Sequence, residues 1–198
     1  MDNKGDRSFL SDSSDEQLLR AVADGETAAL EQLYTRFSRK VFNLSLKLLR
    51  NHEQAEDVTQ DVFIQIHHSA DRFLYKSRIS SWIYRITVNC CLNVIRQHHI
   101  FQKKHDGFLK NTPAAGGEDA AGLGPRRKTP FEIREMERAL FLAVHSLPPR
   151  QKIVFVLSRN DHLSNKEIGT ILHTSVSSVE ARLHRARKKL HKHLVSFR

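Results

Sequence analysis

The chain has 198 residues, enough for one or two small domains, with 32 Lys and Arg against 22 Asp and Glu. Its formal net charge of +10 and pI of about 9.9 favour a polyanionic partner. No apolar run approaches the length of a membrane span, and the only two cysteines, Cys90 and Cys91, are adjacent, which excludes a disulfide framework and leaves them as reduced packing residues. The charge is unevenly placed. Residues 1–60 carry 8 Lys/Arg against 11 Asp/Glu, whereas residues 131–198 carry 13 against 6, and from Ala181 to Arg198 there are seven cations and no acid.

Met1 to Ser14 is rich in Asp and Ser and reads as a disordered tail, residues 1–14. It lacks the apolar segment of a secretion signal, so a cytoplasmic protein is expected. A short helix is predicted over Asp15–Ala23, broken by Asp24-Gly25. Ala29, Leu30, Leu33, Tyr34, Phe37, Val41, Phe42, Leu44, Leu48 and Leu49 then give a long helix with a wide apolar face. Asn51 with Gln54 three residues later restarts a helix whose buried side is Ala55, Val58, Val62 and Ile66. Another helix covers roughly Ser80 to His98. Residues 102–130 are rich in Gly, Ala and Pro and read as a flexible linker. A second helical unit begins near Phe131, with Met136, Leu140, Phe141 and Val144 inward. Pro148-Pro149 turns the chain into Gln151–Arg159, whose apolar run Ile153–Leu157 is expected to be buried on several sides. No strand alternation is present, so the predicted fold class is all-α: two small helical domains, 15–101 and 131–198.

The C-terminal third carries the most specific pattern. Ser164 followed by Glu167 is a capping box that starts a helix at Asn165, with Ile168, Ile171 and Leu172 on one face. His173-Thr174-Ser175 interrupts it, and Thr174, Ser175 or Ser177 can cap the next helix. There Val179, Leu183, Ala186 and Leu190 form a narrow apolar stripe that must pack on the first helix. The other face carries Ser177, Ser178, Glu180, Ala181, His184, Arg185 and Lys188. This is the layout of a helix-turn-helix DNA reader: small and polar residues at the N-terminal end meet base edges, and cations farther along hold phosphates.

Two further faces stand out. On the helix after Asn51, Asp57, Asp61 and Ile64 recur at i, i+4 and i+7 beside Glu56 and Gln60. Carboxylates around an outward isoleucine fit a docking surface for a basic partner, although taken alone the same residues read first as a solvated acidic face. On the Ser80–His98 helix, Ile83, Ile86, Cys90 and Val94 share one side and Arg85, Asn89, Asn93 and Arg96 the other. Just upstream, Phe73, Tyr75, Lys76 and Arg78 place aromatics and cations in one loop. Unpaired bases stack on aromatics, asparagines read base edges and arginines neutralise phosphates. Core packing is expected for Trp82, and Tyr84 is left open.

Four motifs in order carry a family resemblance: Ala55-Glu56-Asp57-Val58-Thr59-Gln60-Asp61-Val62-Phe63, Ser81-Trp82-Ile83-Tyr84-Arg85-Ile86-Thr87-Val88-Asn89, Ser146-Leu147-Pro148-Pro149-Arg150-Gln151, and the capped hairpin. Over residues 15–101 and 131–195 the chain resembles the extracytoplasmic-function (ECF) sigma factors of bacterial RNA polymerase. The resemblance implies that 15–101 is region 2, which binds core polymerase and the −10 promoter element, and that 131–198 is region 4, which binds the −35 element. It assigns Glu56, Asp57, Gln60, Asp61 and Ile64 to the β′ coiled coil and places Phe73 and Asn89 near −10 bases. The loop from Leu74 to Ser80 would hold a flipped base. Core polymerase (β′ and β subunits), promoter DNA and a cognate anti-sigma factor are the implied partners, with no cofactor, metal or membrane insertion and no catalytic chemistry. Two positions depart from the pattern: Glu180 stands where relatives usually carry Lys or Arg, and the −10 loop is basic and β-branched (Lys76, Arg78, Ile79).

Two other classes compete. A conventional helix-turn-helix regulator accounts for residues 131–198 but leaves the acidic helix and aromatic loop without a role. A metal-dependent hydrolase is prompted by 12 His, with His67 and Asp71 at i, i+4 and His105-Asp106 adjacent, but neither pair makes a full ligand set.

Overall fold

The computed structural model describes residues 13–105, 139–140, 142–159 and 163–195, with backbone alone at 99–105 and 194–195. Helix α1 (Asp15–Ala23) opens on a capping box in which Ser14 Oγ accepts from Gln17 N at 3.2 Å and Gln17 Oε1 accepts from Ser14 N at 2.7 Å. Gly25, at φ 93°, turns the chain into α2 (Thr27–Leu49). An Asp15–Arg36 ion pair of 2.9 Å ties α1 to α2. Arg50 ends α2 in the left-handed region, and Asn51 caps α3 (His52–Ser69) by accepting from Gln54 N at 2.9 Å. A 3-10 turn (Ala70–Arg72) leads to the loop before α4 (Ile79–His105).

The inner face of α2 is Ala29, Leu33, Phe37, Val41, Leu44 and Leu48, at spacings of four and three. It is narrower than the sequence pattern predicts: Tyr34 lies outward, 49% exposed, and Leu30, Phe42 and Leu49 are only partly buried. Val58, Val62 and Ile66 of α3 and Ile83 and Tyr84 of α4 complete this core, and truncating a fully buried member such as Ile66 to Ala costs about 2–5 kcal/mol. Tyr84 is thus a core residue, and Trp82 packs against the same cluster while half-buried. Helix α4 continues through His105, so residues 102–105, assigned above to the linker, are helical. Gln102-Lys103-Lys104-His105 contains no helix breaker, and the first glycine comes at 107. Residues 1–12, the rest of the predicted linker, and Met136 and Phe141 lie outside the described residues.

In the C-terminal unit, α5 (Pro149–Ser158) starts with Pro149 in its first turn, where the missing N–H costs nothing. Ile153, Val154, Val156 and Leu157 are buried, as the apolar run predicts. Before it, Ala143 and Leu147 face inward, whereas Leu140 is 40% exposed rather than buried: the inward stripe runs one position out of the predicted phase. Helices α6 (Asn165–Ile171) and α7 (Val176–Val195) form the predicted hairpin. No strand occurs among the described residues. The buried cluster is continuous across the chain: Ile153, Val154, Ile168 and Leu183 of the second unit join Leu48 and Ile83 of the first.

Candidate nucleic-acid and protein interfaces

The hairpin geometry follows its sequence closely. Both arms of the Ser164–Glu167 capping box are present, with Ser164 N donating to Glu167 Oε2 at 2.9 Å. These bonds, with Arg78 nearby, hold the Glu167 carboxyl below the usual carboxylate range. His173 takes φ 47°, and Thr174 N donates to Gly169 O at 2.9 Å to close the turn. A Cβ on Gly169 would lie 2.9 Å from the Thr174 carbonyl oxygen, so only glycine allows this approach. Among the three possible caps, Ser175 fills the role: its Oγ accepts from Ser178 N at 3.2 Å. Val179, Leu183, Ala186 and Leu190 are all buried.

This burial leaves Ser177, Glu180, His184, Arg185 and Lys188 exposed on α7, with Ser178 and Ala181 half-buried beside them. All seven predicted residues therefore share one helix, and five project fully into solvent. The Glu180 carboxylate accepts from Asn165 Nδ2 at 3.5 Å and so stays on the surface near the start of α6.

On α3, Glu56, Asp57, Gln60, Asp61 and Ile64 are all exposed, Ile64 at 53%. The sequence reading missed Tyr34 as a member of this surface. Its ring packs on Phe63 with centroids 4.7 Å apart, and it lines a shallow cleft of about 320 Å³ with Arg39, Phe42, Glu56 and Gln60. Tyr34 belongs to the apolar-rich pattern of α2 next to Leu33, but Leu33 takes the buried position and Tyr34 lies at the edge of the α2–α3 contact.

On α4, Asn89, Asn93 and Arg96 are exposed and Arg85 is half-buried. In the preceding loop Tyr75 (φ 54°), Lys76 and Arg78 are exposed, as is Leu74 at 72%. Phe73 departs from expectation. It is 8% exposed and sits between Tyr75 (4.9 Å) and Trp82 (5.0 Å), so it supports the loop rather than offering a face to a base. Tyr75 is the presented aromatic, with the Arg20 guanidinium 4.9 Å over its ring. Ile79 is buried as the first residue of α4.

Cys90 and Cys91 are free and buried. Burial pushes both thiols up, Cys91 to about 12. No three His, Cys, Asp or Glu residues among those described come together as a metal cage, and His67 and His68 stack edge-to-face instead. No described helix is long and apolar enough to cross a membrane.

Two helical modules, one with an exposed acidic-apolar face and a basic aromatic loop, the other a capped helix-turn-helix, have the layout of a DNA-reading transcription factor. Comparisons with known proteins narrow the class. The Sigma-70 region 2 family matches residues 33–99, and the Sigma-70 region 4 family matches residues 137–190. The chain is 30% identical to the ECF RNA polymerase sigma factor SigW of Bacillus subtilis over 184 residues, covering 89% of this chain and 94% of that one. It is 30% identical to SigM of Mycobacterium tuberculosis over 177 residues (89% and 83%) and 27% identical to the ECF sigma-E factor of Escherichia coli over 179 (89% and 92%). In fold it matches CnrH, solved in complex with the cytosolic domain of CnrY, at a TM-score of 0.66 and 23% identity over 93% of this chain and 99% of that one. It also matches the sigma factor RpoE of Bartonella quintana, solved with the anti-sigma factor NepR, at 0.61 and 20% over 85% and 98%.

The chain belongs to the ECF sigma factors of bacterial RNA polymerase. Its function is to direct the polymerase to promoters at the initiation of transcription. The region 2 match sets aside the conventional helix-turn-helix regulator, for which the first module had no role.

Proposed function

We propose that three surfaces of this chain divide the work of initiation. The α3 face of Glu56, Asp57, Gln60, Asp61 and Ile64, extended by Tyr34, docks on the β′ coiled coil of core polymerase, with region 4 resting on the β subunit. An exposed isoleucine ringed by carboxylates gives a hot-spot anchor inside a charged rim, which is the anatomy of a steered protein interface.

The loop and α4 hold the melted −10 element. Tyr75 and Leu74 offer an apolar platform for an extruded base. Lys76, Arg78, Arg85 and Arg96 neutralise phosphates, and Asn89 and Asn93 read base edges, with Phe73 buttressing from behind. Helix α7 enters the major groove at −35 with Ser177, Ser178, Glu180 and Ala181 at the bases and His184, Arg185 and Lys188 toward the backbone. Glu180 accepts from a cytosine amino group there. Region 2 spans about 15–105, and region 4 runs from about 131. A cognate anti-sigma factor controls the chain, in keeping with the partners on which CnrH and RpoE were solved.

The observation that carries this reading is the simultaneous exposure of an acidic-apolar face and two separate basic faces, in a chain matched to regions 2 and 4 in that order. The test is in vitro transcription with purified core polymerase on a promoter pool. Run-off products that share a −35/−10 pair and depend on the protein support it. Tight binding to a palindrome by the protein alone, with no core-dependent initiation, overturns it.

A further inference from the structure

The Tyr75 ring has two neighbours of different kinds. Phe73 is buried and meets it at 4.9 Å, and the guanidinium of Arg20, from α1, lies 4.9 Å over its centroid. Between them Tyr75 stays 38% exposed at φ 54°, a left-handed backbone that bulky residues rarely adopt. Such strain persists where neighbours enforce it, and it collects at ligand clamps. The enforcement comes from α1 and the core. Leu18, Leu19 and Val22 are buried, the Asp15–Arg36 pair ties α1 to α2, and α1 packs on the 3-10 turn Ala70–Arg72 from which the loop departs. The backbone of Arg20 is therefore fixed relative to Tyr75, while its side chain is exposed in the last turn of α1. Among the described residues no carboxylate forms an ion pair with it.

We propose that Arg20 is the outer jaw of the −10 base slot: an unpaired nucleobase enters between its guanidinium and the Tyr75 ring and stacks on both. The inference rests on the assignment of Tyr75 to the melted −10 strand. It brings α1, which carries none of the DNA-reading patterns of the sequence, into that site.

A guanidinium is planar, delocalised and weakly hydrated, so it stacks on rings as well as pairing with phosphates. A base held between two stacked partners needs about 7 Å, two van der Waals contacts, so the 4.9 Å separation is a closed slot and one jaw must lift. Arg20 is the jaw that can, on a long exposed side chain. Phe73 cannot, because it is buried against Trp82 at 5.0 Å, and it keeps Tyr75 from retreating as the base enters. Filling the slot exchanges one cation–π contact for two stacked faces, beside Leu74, which is 72% exposed. Every base has a π-face, so the jaws supply affinity with little sequence preference and leave base identity to Asn89 and Asn93.

The experiment uses the full chain bound to core polymerase, as wild type, Arg20→Ala, Arg20→Lys and Tyr75→Ala. All three variants change exposed side chains and should keep the fold. The probes are single-stranded oligonucleotides carrying the non-template −10 sequence recovered from the transcription pool, intact or with one base at a time replaced by an abasic site. The wild type is expected to lose most affinity at one abasic position. For that pair of probes, Arg20→Ala lowers affinity for the intact strand about 2–30-fold and leaves the abasic strand unchanged. Arg20→Lys behaves like Arg20→Ala, because an ammonium keeps the charge but has no plane to stack. Equal losses on both probes, with binding retained by Arg20→Lys, mean a phosphate contact and overturn the proposal. An Arg20→Ala variant that binds both probes like the wild type overturns it too. In either case a Tyr75→Ala variant that weakens the intact probe alone leaves the −10 reading of the loop standing. If Tyr75→Ala spares both probes, or no −10 sequence is recovered, that reading fails and this inference fails with it.

Discussion

Replacing Gly169 with alanine sets two known effects against each other. Within α6, alanine is the better helix former by about 1 kcal/mol. The new Cβ, however, would stand 2.9 Å from the Thr174 carbonyl oxygen, a backbone atom held by the turn that Thr174 N closes onto Gly169 O. Backbone cannot rotate aside as a side chain can, and forced overpacking of this kind costs about 1–3 kcal/mol. The expected balance is a net loss of about 1 kcal/mol, which for a chain of this size lowers Tm by about 2–4 °C. Thermal unfolding followed by circular dichroism measures it. Gly25→Ala is the control. There a Cβ meets nothing within 4 Å, and the cost is conformational, about 1–2 kcal/mol for an L-residue held at φ 93°. Gly25→Ala therefore lowers Tm with the −35 dependence of initiation intact, whereas Gly169→Ala moves α6 against α7 and weakens −35 dependence as well. An unchanged or raised Tm for Gly169→Ala refutes the reasoning, because it means the turn relaxes at no cost and helix propensity wins.

Other consequences are as direct. Asp61→Arg and Ile64→Asp change exposed side chains, so stability should stay within about 0.5 kcal/mol while affinity for core polymerase, read by competition binding, falls at least about tenfold. Arg185→Ala and Lys188→Ala should each flatten the salt dependence of promoter binding by about one unit of slope, almost uniformly across −35 sequences. Because Glu167 is held below its ordinary value of 4.5 when folded, its contribution is fully present above that pH and is lost as pH falls through the depressed folded value. Acid unfolding curves of the wild type and E167Q should therefore differ above about pH 4.5 and converge below it. The Cys91 thiol, buried and raised to about 12, should resist alkylation at pH 8 in the native protein and react only on unfolding.

Much of the fold could be read directly because local signals agree with global packing. Ser14/Gln17, Asn51 and Ser164/Glu167 start helices where their side chains say they should, and the stripe Val179–Leu183–Ala186–Leu190 is buried in full. The failures share a cause. Tyr34, Phe73 and Leu140 are apolar residues whose burial depends on how a neighbouring element crosses theirs, and a one-dimensional pattern does not carry crossing angles. Tyr34 and Phe73 in effect exchange roles, the expected core residue joining a surface and the expected DNA contact joining the core. Residue type specified that an aromatic was needed in each place, and tertiary packing decided which way it faced.

The seam between the modules was illegible for a different reason. Arg78, Arg85 and Lys152 were each given a role or a position from their own segment, and nothing in a segment shows that its cation will meet a carbonyl or a carboxylate 85, 89 or 104 residues away. Such contacts use groups that already have another use. Leu48 O lies in the last turn of α2, where carbonyls lack an intrahelical partner, and Thr170 O, near the end of α6, takes the arginine in addition to backbone N–H groups of the turn. An arginine with five donors can satisfy a helix end in one state and a phosphate in another at similar enthalpy. The cations that suit this chain to DNA therefore also find acceptors between its own two modules.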